Sequence, residues 1–168
     1  QNTTKMSKII EHLEDVTIRF AGDSGDGMQL VGTQFSETAG FAGNEVNTFP
    51  DYPSEIRAPE GTLYGVSAFQ VHFGTQNIHT LGDYIDVLVA MNASSLKVNK
   101  ANLKDGGIII ANTEGFDARN LGLAGYTANP LEDGSLQNYT VYAINIGKEI
   151  KAELADLNIP TKIASKTK

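Results

Sequence analysis

The chain has 168 residues, 40% of them apolar and 20% charged, which is the composition of one globular domain large enough to bury a real core. Its formal charge of -7 leaves little basic surface to release counterions from nucleic acid or to attach to anionic lipid, so neither nucleic acid nor a membrane is an expected partner. With no cysteine the chain cannot form a disulfide, ligate an iron–sulfur cluster through thiolates or build a thiolate zinc site, so any redox centre must sit on another chain.

The polar opening QNTTK lacks the apolar core of a secretory signal, and no later stretch approaches the roughly 18 apolar residues of a membrane span; the expected location is the cytoplasm. The β-rich run VTIRF at 16–20 leads into the glycine-rich stretch AGDSGDGMQL at 21–30. Val31, Phe35, Thr38 and Ala42 then recur at helical spacing, which predicts a strand, a glycine turn and an amphipathic helix. Gly43 and Asn44 are the expected helix end, and EVNTF at 45–49 is a second strand stopped by Pro50 and Pro53, completing a βαβ unit. Residues 52–61, with two prolines and three charges, read as a loop. The alternation along 63–73 predicts a strand with one wetter face.

DVLVAM at 86–91 is continuously apolar, as in a parallel strand covered on both sides. Asn92 closes it before a short helix marked by Ala93, Leu96 and Leu103, with a cap at Ser94 or Ser95. GGIIIAN at 106–112 repeats the pattern. TVYAINI at 140–146 is a further buried strand, followed by a helix with Ile150, Leu154 and Leu157 on one face. Between them, 116–138 is rich in Gly and Asn without a period, an excursion suited to function or docking. Alternating strands and helices predict an α/β fold: a Rossmann-like open, mostly parallel sheet with helices on both faces. After Pro160 only eight residues remain, and residues 1–168 are expected to be a single domain belonging to a longer polypeptide.

In such sheets ligands settle at the carboxyl ends of the strands, and the first strand-to-helix turn is the usual phosphate site. Gly22, Gly25 and Gly27 occupy that turn here, but their spacing misses the G-x-G-x-x-G of dinucleotide binders, and no G-K-[ST] supplies a triphosphate site. Asp23 and Asp26 put negative charge where a phosphate would sit; their local reading is as turn or N-cap residues. Gly25-Asp26-Gly27 resembles the thiamine-diphosphate motif. The Asn that should complete that motif some twenty-five residues on is missing, because that distance lands near Tyr52 while Asn44 and Asn47 come too early.

Taken together, RFAGDSGDGM (19–28), FPDYPSEIRAPEG (49–61), GVSAFQVHF (65–73), DVLVAMN (86–92) and NPLEDG (129–134) resemble the gamma domain of 2-oxoacid:ferredoxin oxidoreductases. The form resembled is the one in which this domain is the N-terminal part of the alpha subunit of a 2-oxoglutarate-type enzyme. The resemblance implies a multidomain enzyme that oxidatively decarboxylates a 2-oxoacid on thiamine diphosphate, passes electrons through an iron–sulfur cluster to ferredoxin and forms an acyl-coenzyme A. It places thiamine diphosphate, Mg2+ and the cluster on other domains or subunits. It also implies as partners the remainder of the alpha subunit, a thiamine-binding beta subunit and ferredoxin. The coenzyme A contact of related glycine turns maps onto Gly25, Asp26, Gly27, Met28 and Gln29, and no catalytic residue or metal ligand is expected on this chain.

Other residues carry two readings. Arg57, between Glu55 and Glu60, is either in a local ion pair or a phosphate or interdomain contact near the catalytic cleft. Asn92 and Asn112 end strands on the ligand edge, where each is either a cap or a ligand contact. His72 reads as a hydrogen-bonded structural histidine, with His12 and His79 lacking ligand spacing to it; Met28 reads as a gap filler under the turn. Two other functions fit the same turn: an independent Rossmann-type binding protein for a small molecule or nucleotide, and a docking module without a ligand.

Overall fold

The computed structural model describes residues 13–23, 25–51, 65–75, 80 and 82–155. In chain order these form β1 (Asp15–Asp23), α1 (Met28–Phe41), β2 (Glu45–Asp51), β3 (Val66–Gly74), β4 (Ile85–Ala90), α2 (Ala93–Asn99), β5 (Leu103–Asn112), α3 (Ala118–Leu123), β6 (Thr140–Ile144) and α4 (Ile146–Ala155). The strands make one six-stranded sheet in the order β2-β3-β1-β4-β5-β6. β1, β4, β5 and β6 pair in parallel, whereas β3 runs antiparallel to both β1 and β2. The mostly parallel α/β sheet is therefore as expected, with one correction: β2 does not pair with β1, because β3 turns back and inserts between them.

From β1 the chain moves toward β2 on one side, and from β4 toward β5 on the other, so right-handed connections place α1 and α2 on opposite faces. α1 lies on the face of Phe20, Phe69 and Val71; α2 covers Ala21, Leu88, Ala90, Ile109 and Ala111. The direction reverses between β1 and β4, which sets the crevice of the sheet at their carboxyl ends.

The buried stripe of α1 is Met28, Gly32 and Ala39 with Phe35 half-buried, whereas Val31, Thr38 and Ala42, expected inside, are exposed. The reason is Gly32. A Cβ there would lie 2.2 Å from a ring atom of Phe69, so the helix approaches β3 through a residue that carries no hydropathy signal. Phe35 then packs against the rings of Phe20 and Phe73, at centroid distances of 5.5 and 5.4 Å. The helix end is as expected. Gly43 at φ 86° donates to the Gly40 carbonyl (2.9 Å) and Asn44 to the Ala39 carbonyl (3.2 Å), closing a Schellman motif.

Four further expectations are corrected. Pro50 lies inside β2 rather than ending it, which an edge strand tolerates because an edge residue need not donate to the ladder; Pro53 is outside the described residues. β3 has no wetter face: Gln70 and His72 are buried, since protein groups and not water satisfy them. In β4 and β5, Leu88 and Ile109 are fully buried, but Val87, Val89, Ile108 and Ile110 on the opposite face are only half-buried, because α1 packs chiefly on β3, β2 and β1. β6 is an exposed edge strand, with Tyr142 at 54% accessibility, rather than a buried one.

The cap of α2 is Asn92, not Ser94 or Ser95. The Asn92 side chain accepts from the Ser95 amide, and the Ser95 hydroxyl accepts from the Asn92 amide, a reciprocal capping box. Leu103 opens β5 instead of ending the helix. The excursion at 116–138 contains α3 and places Phe116, Ala124 and Leu136 in the core under α2. Ile150 of α4 is half-buried; Leu157 and the Leu154 side chain lie outside what is described.

Candidate ligand cleft at the strand ends

The carboxyl ends of β1, β4, β5 and β6 surround a cleft of about 190 Å³, lined by Asp23, Asp26, Asn92, Asn112, Glu114 and Gly147 among others. The chain after β1 is pulled into a tight turn: the Asp26 amide donates to the Asp23 carbonyl (3.0 Å), and the Asp26 carboxylate accepts from the Asp23 amide (2.9 Å). Gly22 gives this turn its room, since a Cβ would fall 2.8 Å from the Asp26 carboxylate and 3.1 Å from the Met91 Cβ. Asp26 is thus a turn-closing residue, in keeping with its local reading, and the helix N-cap is Gly27 at φ 73° without a side-chain cap.

The first helical bond of α1 runs from the Val31 amide to the Gly27 carbonyl (3.0 Å). The amides of Met28, Gln29 and Leu30 precede it and have no carbonyl partner within the helix. No acidic residue lies in the first turn, and among the described residues a Cβ at Gly25 or Gly27 would meet nothing within 4 Å. The turn therefore presents open backbone and the positive end of a 14-residue helix, with the Asp26 carboxylate just before it drawn back onto the Asp23 amide.

Met28 is 4% exposed beneath the turn, as a gap filler would be. Gln29 is tied to β3, its amide nitrogen donating to the Ser67 hydroxyl (3.2 Å) and the Ala68 carbonyl (3.0 Å), while its carbonyl oxygen is buried without a partner among the described residues. Asn92 serves cap and cleft together: its oxygen receives the Ser95 amide (2.8 Å) and its nitrogen donates to the Asp23 carboxylate (2.8 Å), joining the β1 and β4 turns. Asn112 spans the next gap, accepting from the Ile146 amide (3.3 Å).

The structure thus brings Gly25, Asp26, Gly27, Met28, Gln29 and Asn92 to one edge of the sheet. Arg57, His12 and His79 lie outside the described residues. Sequence reasoning missed Glu114 and Gly147, which meet so closely that a Cβ at Gly147 would fall 2.5 Å from the Glu114 carboxylate. The signal for Glu114 was its place just after β5, on the same edge as the residues that were singled out. His72 is structural as read, its ring nitrogens facing the Thr80 carbonyl (2.7 Å) and the Asp15 carboxylate (3.0 Å) at the opposite end of β1. Burial, then the charge of Asp133, pushes the Tyr126 phenol up, and hydrogen bonds from Ser135 hold the Asp133 carboxyl down.

Residues 17–164 match the family described as pyruvate ferredoxin/flavodoxin oxidoreductase, and the chain belongs to that family, as its motifs indicated. It is 53% identical over 134 residues, 80% of its length, to the 2-oxoglutarate oxidoreductase subunit KorA of Mycobacterium tuberculosis, of which it covers 20%. Among solved structures it resembles the 2-oxoglutarate:ferredoxin oxidoreductase of Magnetococcus marinus with 2-oxoglutarate, coenzyme A and succinyl-CoA bound. The TM-score is 0.63 at 25% identity, covering 86% of this chain and 22% of that one. The gamma subunit of keto/oxoacid ferredoxin oxidoreductase from Geobacter sulfurreducens shares the fold, with a TM-score of 0.57 at 22% identity over 83% of this chain and 66% of that one. The chain spans about a fifth of the length of the first two relatives. No helix among the described residues is long and apolar enough to cross a membrane.

Proposed function

We propose that this chain is the gamma domain of a 2-oxoglutarate:ferredoxin oxidoreductase, standing in the N-terminal part of a longer alpha subunit in the cytoplasm and contributing a coenzyme A contact and a docking surface. The reaction is oxidative decarboxylation of a 2-oxoacid to acyl-CoA, with the electrons passing to ferredoxin. In the absence of any cysteine, the iron–sulfur cluster belongs to other domains or subunits, and thiamine diphosphate with Mg2+ is assigned there too, since the Gly25-Asp26-Gly27 triplet lacks its Asn. The work left to this chain is binding and orientation.

The observation that carries the coenzyme A assignment is the open turn at the start of α1. Amides of Met28, Gln29 and Leu30 are unused within the helix, no carboxylate sits in the first turn, and no described residue fills the space over Gly25 and Gly27. These features fit a phosphate of coenzyme A. Asn92 and Arg57 are assigned to the same site, Asn92 at the cleft wall and Arg57 as a guanidinium for an anionic group.

Gly25 separates ligand effects from folding effects better than Gly27. Gly27 has φ 73°, so any side chain strains the turn by itself, while Gly25 has no positive φ and, among the described residues, no neighbour within reach of a Cβ. In the full-length enzyme, Gly25→Val should weaken coenzyme A binding about tenfold or more, that is by at least about 1.4 kcal/mol, with an unchanged melting temperature. Calorimetric titration checks this. Equal affinity in variant and wild type would reduce the turn to a structural joint and leave a docking module without a ligand.

A further inference from the structure

Arg19 is the only lysine or arginine that is buried among the described residues. From the middle of β1 its guanidinium reaches across β3. Nε donates to the Asn99 side chain at the end of α2 (2.7 Å), Nη1 to Gln70 of β3 (3.1 Å), and Nη2 to the carboxylate of Asp51, the last residue of β2. Desolvating such an ion offsets much of its attraction to a counter-ion, so stability alone does not explain it. Its geometry does: one rigid planar fork bonds partners on three elements through three different nitrogens, whereas the donors of an ammonium all radiate from a single atom.

Asp51 continues the connection to the ligand edge. It pairs in register with Ala68, and its carbonyl receives the Ser67 hydroxyl at 3.5 Å. Ser67 and Ala68 are in turn the groups from which the Gln29 amide hangs. Among the described residues Gln29 makes the only side-chain hydrogen bonds from the first turn of α1 to the sheet, so the position of that turn depends on where β3 begins. We propose that Arg19 is a positioning residue for the coenzyme A turn: by holding Asp51 it fixes the end of β2 against the start of β3, and through Gln29 it holds the first turn of α1. This role rests on the coenzyme A reading above.

The test uses the full-length enzyme with Arg19→Lys, Asp51→Asn and the double variant, with Gly25→Val as reference. Arg19→Lys keeps the charge but replaces three spread nitrogens with one, so it loses the fork that reaches Asn99, Gln70 and Asp51 together. The expected result is that the Kd and KM for coenzyme A rise about tenfold to a hundredfold while the KM for the 2-oxoacid stays unchanged. The double variant should be no worse than Arg19→Lys alone, because both act through one contact. Lower thermal stability with an unchanged coenzyme A affinity would make Arg19 purely structural and overturn the proposal. Should Arg19→Lys fail to fold, Asp51→Asn decides, since its side chain is 45% exposed; unchanged affinity there overturns the proposal. A loss with Gly25→Val but with neither Arg19→Lys nor Asp51→Asn overturns the role of Arg19 alone. No effect from any of them overturns the coenzyme A reading as well.

Discussion

The two halves of the sheet are held together by different physics. Around β1 and β3 the face toward α2 buries Thr17, Arg19, Gln70 and His72, the last three held by side-chain hydrogen bonds, whereas around β4 and β5 the same face buries Leu88, Ala90, Ile109 and Ala111. Hydrophobic burial is non-directional and roughly proportional to area, so the second half supplies stability without dictating where neighbouring turns sit. Polar pairs contribute little net energy but demand specific geometry. The half that carries the glycine turn is therefore the one whose strands are held in place by side-chain hydrogen bonds, while the apolar half anchors it.

Substitutions that remove one kind of interaction at a time can break this contrast. The largest effect is expected at Leu88, fully buried between β4 and α2: Leu88→Ala should cost about 2 to 5 kcal/mol in urea unfolding through lost burial and a cavity. A cost below about 0.5 kcal/mol would place the anchor elsewhere. Arg19→Met should cost less, about 1 to 3 kcal/mol, because Gln70 and Asn99 each lose a buried partner while Asp51 is left hydrated at the edge. If Arg19→Met were as harmful as Leu88→Ala, the polar half would be a stability device too.

Asn92→Ala removes the cap of α2 and the link to Asp23, and denaturation should register about 0.5 to 2 kcal/mol. A value near zero would mean that the β1 and β4 turns are held apart from each other by other contacts. Least affected should be Tyr142 on the exposed edge: Tyr142→Ser is expected to stay within about 0.5 kcal/mol in the described domain. A larger loss in the full-length protein than in the domain would show that another part of the assembly covers β6.

Much of the candidate site was legible because its chemistry is local. A strand running into Gly22, Gly25 and Gly27, followed by a helix, announces a strand–turn–helix whatever surrounds it, and an Asn at a strand end announces a cap. What stayed illegible were partners brought from far along the chain. Nothing near Arg19 points to Asp51 or Asn99, 32 and 80 residues away, and nothing near Asn112 points to Glu114 closing against Gly147.

The sequence by itself determined the succession of strands and helices, the glycine turn at the head of α1, the Schellman end at Gly43, the lack of thiolates and the family. All of these depend on residue types within one or two turns of each other or on motifs in fixed order. The tertiary structure decided the rest: β3 inserted antiparallel beside β1, the stripe of α1 set by Gly32 against Phe69, Gln70 and His72 buried, and β6 left exposed. Hydropathy records how a side chain pairs with water, and these four outcomes turn on which protein group, or none, takes the place of water.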